Sequence, residues 1–196
     1  MITLGIDTSL DDVSFAILDG LTVLAEYNEN IGRNLADKIS GIFLELFNEA
    51  KVKADDFERC GIVVGPGSFT GLRIGIAFAK GLFADSNVKI APVSSLECIA
   101  RSCAKTGNVS VILDARQGEV FFAKFNNENG FVRLCEDKRI SIEEALKNEN
   151  IIEAPNFAKN RGEIAAKIAM ESKELLTIDD IFPNYMQVSY AERCKK

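Results

Sequence analysis

The stretch that most constrains the fold runs from Cys60 to Gly71. Cys60-Gly61-Ile62-Val63-Val64 is a continuous apolar run; it breaks at Gly65-Pro66-Gly67 and passes through Ser68-Phe69-Thr70-Gly71 into a helix-spaced pattern ending near Ala84. An apolar run without polar alternation is a strand covered on both faces of a sheet, so layers are needed on either side of it. At 196 residues, 47% apolar and 27% charged, the chain has material for such a core, as one compact domain or as two small lobes sharing an interface.

Around that strand the pattern predicts Ile2–Asp7 and Val13–Leu18 as strands, a hairpin turn at Asp19-Gly20, and Thr22–Tyr27 as a half-buried strand. A helix begins at Asn34, with Leu35, Ile39, Ile42, Phe43, Leu46, Phe47 and Ala50 stepping by three and four along one face. Lys89–Val93 is a further strand, and Ser94-Ser95 caps a helix reaching about Ala104. Three antiparallel strands leading into crossover units, βββαβαβα, is the order of a ribonuclease-H-like lobe.

Thr106-Gly107-Asn108 marks a lobe boundary, giving residues 1–105 to a first lobe and 106–196 to a second, smaller lobe with a C-terminal tail. The second lobe reads as strands at Val109–Asp114, Glu119–Phe125 and Phe131–Cys135. A capping-box helix follows at Ser141-Ile142-Glu143-Glu144, then a short strand at Ile151-Ile152 and an amphipathic helix over Arg161–Ser172. It echoes the first lobe: Asp7 is followed by Val13, Phe15 and Ala16, and Asp114 by Val120, Phe122 and Ala123, at the same offsets. Duplication explains both the offsets and the strand order. The fold class is therefore α/β, an actin-like or Hsp70-like tandem of two ribonuclease-H-like lobes with the second reduced.

In that architecture paired hairpin loops grip nucleotide phosphates across the inter-lobe cleft, using glycines that let backbone N–H groups approach closely. Here the first loop is Thr8-Ser9-Leu10-Asp11-Asp12, without glycine, and the second is Ala115-Arg116-Gln117-Gly118-Glu119, with one. Asp11 and Asp12 add repulsion of about 1 kcal/mol each toward a phosphate ~4–6 Å away. Asp7, Thr8, Ser9, Asp114 and Gly118 are thus expected to mark a vestigial nucleotide site. The glycine-rich turn lacks the lysine of a phosphate-binding loop; it is either a tight strand-to-helix connection or an anion site at a helix start.

The helix behind the turn is apolar nearly all round. Only Arg73 and Lys80 are polar between Leu72 and Ala84, and Gly71, Gly75 and Ala79 lie four apart. Either it is core, or a face it shares with the Leu35–Ala50 helix awaits a partner's helices, which a stripe of small residues would admit closely.

Composition removes other chemistry. The chain has no histidine, which excludes Ser-His and Cys-His pairs, histidine-ligated zinc and imidazole acid–base catalysis. Its charge of −6, from 23 basic and 29 acidic residues, argues against direct nucleic-acid binding. Five cysteines at 60, 98, 103, 135 and 194 include no C-x-x-C pair and read as reduced thiols, as in the cytoplasm. Neither a membrane span nor a signal peptide is expected.

Leu4-Gly5-Ile6-Asp7-Thr8-Ser9, Gly65-Pro66-Gly67-Ser68-Phe69-Thr70-Gly71-Leu72-Arg73-Ile74-Gly75, Val93-Ser94-Ser95-Leu96-Glu97 and Asp114-Ala115-Arg116-Gln117-Gly118-Glu119-Val120 follow one another in an order that resembles the TsaB (YeaZ) family. The match continues to Tyr185 and Ser189-Tyr190-Ala191-Glu192. The resemblance implies a non-catalytic, cytoplasmic subunit of the bacterial machinery that forms N6-threonylcarbamoyladenosine in tRNA. Its partners would be a catalytic TsaD-like paralogue and a TsaE-like ATPase, with tRNA met only through the complex and a homodimer formed alone. No cofactor and no metal are implied. TsaD-like relatives bind metal through a His-x-x-x-His pair on the first lobe's long helix, and Arg33–Lys38 holds no histidine. A protease role would need a nucleophile–base pair or a metal set that is missing. Partner contacts are expected at Leu35, Ile39, Ile42, Phe43, Leu46, Gly71, Leu72, Arg73, Ile74, Gly75, Phe78 and Leu82. The alternative is a nucleotide-binding ATPase or kinase-like enzyme acting in the cleft, with Asp7 and Asp114 near metal and phosphates.

Overall fold

The computed structural model describes residues 1–103, 105–154 and 160–186. The first sheet is built from β1 (Ile2–Asp7), β2 (Asp12–Asp19), β3 (Thr22–Asn30), β4 (Phe57–Gly65) and β5 (Lys89–Ser94), in the order β3-β2-β1-β4-β5. β1 runs antiparallel to β2 and parallel to β4, and β4 runs parallel to β5. The apolar run of β4 therefore lies inside the sheet, as its sequence requires. α1 (Leu35–Ala50) and α2 (Phe69–Leu82) cover one face, where Phe15, Phe43, Phe57 and Phe83 form an aromatic core with Leu4, Ile6 and Ile62.

The second sheet contains β6 (Asn108–Asp114), β7 (Glu119–Asn127), β8 (Phe131–Ser141) and β9 (Ile151–Glu153), in the order β8-β7-β6-β9. β6 pairs antiparallel with β7 and parallel with β9, the arrangement of β1 with β2 and β4, so the internal echo is a repeated topology. Strand β8 continues six residues beyond its expected end at Cys135. Exposed Val132, Leu134, Glu136 and Lys138 alternate along it with half-buried residues, and register shifts against Phe122–Phe125 absorb the extra length. The short α4 (Ile142–Ala145) follows, and Ser141 caps it by accepting the Glu144 N–H.

The boundary at 105/106 separates the sheets but not the helices. α3 (Ser95–Ser102) precedes the boundary, yet Leu96, Ile99 and Ala100 sit in the second lobe's core with Val109, Val111, Phe121 and Phe125. α5 (Arg161–Glu171) follows it, yet lies on the uncovered face of the first sheet against β1, β2 and β4. Three glycines make that contact backbone on backbone. Gly5 and Gly61 are register partners, and a Cβ on either would overlap the carbonyl oxygen of Gly162 or of Ala165. A Cβ on Gly162 would in turn stand 2.7 Å from the Phe15 backbone. Apolar periodicity assigns a helix a buried face but not the sheet that buries it, so this exchange is invisible in the sequence.

Past α5 the chain also returns to the first lobe. Leu176 bridges Ile90, Ile178 and Ile181 enter the aromatic core, Asn184 N donates to Val64 O at 2.7 Å, and Tyr185 stacks on Phe69 with ring centroids 4.5 Å apart. The motif Ser189–Glu192 and Cys194 lie outside the described residues.

Candidate functional site

Two surfaces collect the residues singled out by sequence. One is the cleft between the lobes, about 890 Å³, lined by the loops that leave β1, β4 and β6. The other is the outward side of α1 and α2.

Asp7 ends β1 but does not reach the cleft. It is fully buried; its Oδ1 accepts from Ser9 N at 2.7 Å and Ser9 Oγ at 2.6 Å, and its Oδ2 accepts from Arg161 Nε at 2.7 Å. Arg161, the first residue of α5, also donates to the Asp12 carbonyl. Both carboxylate oxygens are thus engaged inside the protein, an arrangement unlike the one the alternative reading gives Asp7, near metal and phosphates. Thr8 is buried as well, its hydroxyl donating to Gly71 O at 2.8 Å. Ser9 and Asp114 do line the cleft, whereas Gly118 stands at the hairpin tip outside the lining. Asp114 Oδ1 accepts Arg116 N at 2.8 Å, the counterpart of the Asp7–Ser9 turn.

The wall carries Asp11, Asp12 and Asp114 against Arg116 and Arg139. Arg139 is ion-paired to Glu119 at 2.5 Å. The charge balance opposes a polyphosphate, and the lining includes a positive end of a helix dipole, the start of α2 at Ser68–Thr70. Among the described residues no cluster of three or more side chains is arranged to ligate a metal.

On the helical surface, most of the residues expected at a partner interface are used within the chain. Leu35, Ile39, Ile42, Phe43, Leu46 and Leu72 are at most 7% exposed. Gly71 and Gly75 do permit close approach, but of the β1–β2 loop: a Cβ on Gly71 would strike Thr8 O, and one on Gly75 the Thr8 hydroxyl. The small-residue stripe therefore faces inward. Ile74, Phe78 and Leu82 are half-buried, with the Phe78 ring tilted 35° against that of Phe43 at a centroid distance of 4.4 Å, and Arg73 is exposed with its guanidinium over Phe69.

What lies outward was not singled out by sequence: Ser40, Gly41 and Leu44 on α1, and Phe69, Ala77 and Gly81 on α2. Leu44 is 63% exposed and Phe69 53%. A Cβ on Gly41 or Gly81 would meet no atom within 4 Å, although glycine inside a helix costs about 1 kcal/mol relative to alanine. The signal available was Leu44, an apolar residue lying off the stripe made by Leu35, Ile39, Ile42 and Leu46.

Burial pushes the Cys60 and Cys98 thiols well above their ordinary range, and nearby Asp7 and Glu97 add to this at Cys98. Burial of this kind disfavours the thiolate form that a nucleophilic cysteine needs.

A family model described as TsaD, tRNA N6-adenosine threonylcarbamoyltransferase, matches residues 23–190. The chain is similar to the tRNA threonylcarbamoyladenosine biosynthesis protein TsaB of Bacillus subtilis (strain 168), 32% identical over 149 residues, covering 75% of this chain and 65% of that protein. It is also similar to the protein of that name from Escherichia coli (strain K12), 34% identical over 131 residues, covering 65% of this chain and 56% of the relative. The chain thus spans less than two thirds of the length of these two relatives. The solved structure of YeaZ from Pseudomonas aeruginosa superimposes with a TM-score of 0.78 at 20% identity, over 94% of this chain and 99% of that one, which establishes the two-lobed fold.

Proposed function

We propose, on the premise that this chain belongs to the TsaB (YeaZ) family, that it is a non-catalytic docking subunit in tRNA threonylcarbamoyladenosine biosynthesis. It lends the outward side of α1 and α2 to its catalytic paralogue, a tRNA N6-adenosine threonylcarbamoyltransferase. A TsaE-like ATPase joins the assembled complex, tRNA is met only through it, and without the paralogue the same face pairs with a second copy. The observation that carries this reading is the pair of open helix glycines, Gly41 and Gly81, beside exposed Leu44 and Ala77. Among the described residues nothing in the chain's own packing requires glycine at either position, whereas a helix laid across them from outside does. On the same pair of helices Ile74 and Phe78 are half-buried and Arg73 is exposed.

Size-exclusion chromatography with light scattering, on the chain alone and mixed with the paralogue, tests this reading. Gly41→Leu and Gly81→Leu have room to fold and are expected to retain the wild-type circular dichroism while losing co-elution. Co-elution preserved in both variants overturns it. The competing reading, an ATPase or kinase-like enzyme in the cleft, is weakened by the internal pairing of Asp7. Calorimetry with magnesium-ATP decides between them: binding tighter than ~10 μM, about −7 kcal/mol, supports the enzyme.

A further inference from the structure

Helix α3 is shared between the lobes. Its Leu96, Ile99 and Ala100 pack in the second lobe's core, while Cys98 packs with Val63 and Val93 of the first sheet and Ala165 of α5 that covers it. On the same helix, Glu97 accepts from Arg101 Nε at 3.0 Å through one oxygen and from Arg133 Nη2 at 3.2 Å through the other. Arg133 belongs to β8 of the second lobe; its Nη1 is 2.5 Å from Asp137 Oδ1, and Asp137 Oδ2 accepts from Ser94 Oγ of the first lobe at 2.6 Å.

Ring contacts cross in the same place. The Arg101 guanidinium lies 4.4 Å from the Phe131 centroid and that of Arg133 4.9 Å from Phe125, with the two rings 5.1 Å apart. The four charged side chains are only 10–24% exposed, so solvent screens them less than a surface pair. Because each side chain is fixed by more than one neighbour, the entropy of ordering them is shared across the network. A second tie crosses nearby: Asn184 bonds Val64 of β4, and two residues on Met186 packs against the second lobe's core.

We propose that this cluster, centred on Glu97, locks the two lobes at one angle, so that the cleft neither closes nor opens as a hinge and the chain meets its partners as a rigid two-lobed body. Two-lobed folds of this kind can work by hinge closure around a ligand; here the hinge is occupied by a cross-lobe ion and aromatic cluster. The inference rests on contacts remote from the α1–α2 surface and is independent of the docking reading.

The test measures the distance across the cleft mouth by double electron–electron resonance. The full chain carries spin labels at Asp11→Cys and Gln117→Cys, both exposed, with Cys135→Ser at a half-buried position and Cys194→Ser added so that neither takes up label. A single narrow distribution, unchanged by magnesium-ATP, is expected. Glu97→Gln, which keeps the shape and removes the charge, is expected to at least double its width, whereas Glu171→Gln on the exposed arm of the network leaves it narrow. A broad or bimodal distribution in the parent overturns the proposal whether or not any variant folds. So does a narrow one in folded Glu97→Gln and Arg133→Met.

Discussion

Arg161 Nε sits 2.7 Å from Asp7 Oδ2 although 154 positions separate them in the chain, and neither side chain is more than 2% exposed. The pair joins the start of the last long helix to the end of the first strand. It neutralises Asp7, the one fully buried aspartate among the described residues, and engages both oxygens of that carboxylate.

Removing one member of a buried pair leaves the other charged and desolvated. Arg161→Met is expected to cost about 3–5 kcal/mol in urea unfolding. Asp7→Asn added to it should restore part of that loss, because a neutral amide is less costly to bury than a carboxylate. Equal stability of the single and double variants in a mutant cycle contradicts this account.

The glycines divide into two groups with opposite expectations. Alanine at Gly5, Gly61 or Gly75 meets backbone or a buried hydroxyl, and each substitution should lower stability by at least ~2 kcal/mol. Alanine at Gly41 or Gly81 meets nothing and should raise the stability of the free chain by about 0.5–1 kcal/mol. Thermal melts of the five variants at one protein concentration check both signs.

The buried thiols set a limit at high pH. Burial raises the Cys60 and Cys98 pKa in the folded state, while the unfolded chain ionises near the ordinary value of 9.0. Their contribution to stability is therefore complete below about pH 9. It falls above that, as the unfolded state alone loses its protons, by at most about 1.4 kcal/mol per pH unit for each thiol. Cys60→Ala/Cys98→Ala should flatten that decline in denaturant titrations between pH 8 and pH 10.5. At pH 8 neither thiol of the folded wild type should react with iodoacetamide.

Local patterning placed the elements well. Continuous apolar runs located β1 and β4, alternation located β3, and the three-four spacing from Leu35 to Ala50 located α1, because each signal depends on neighbours a few residues apart. The repeated offsets after Asp7 and Asp114 likewise anticipated two sheets of matching order. The functional surfaces were less legible. Phe43 and Leu44 are equally apolar in the sequence, yet one is 2% exposed and the other 63%. Gly75 and Gly81 look alike, yet one is filled by Thr8 and the other faces open space.

The sequence by itself determined the two-sheet α/β topology and the absence of histidine chemistry, since these follow from residue types and short-range periodicity. Only the tertiary structure decided that α3 and α5 each cross to the other lobe's sheet, that Asp7 is paired with Arg161, and which glycines face outward. Those outcomes depend on contacts between residues tens to more than a hundred positions apart. A helix's apolar face is the same whichever sheet covers it, and a carboxylate carries the same charge whether its partner is a ligand or the far end of its own chain.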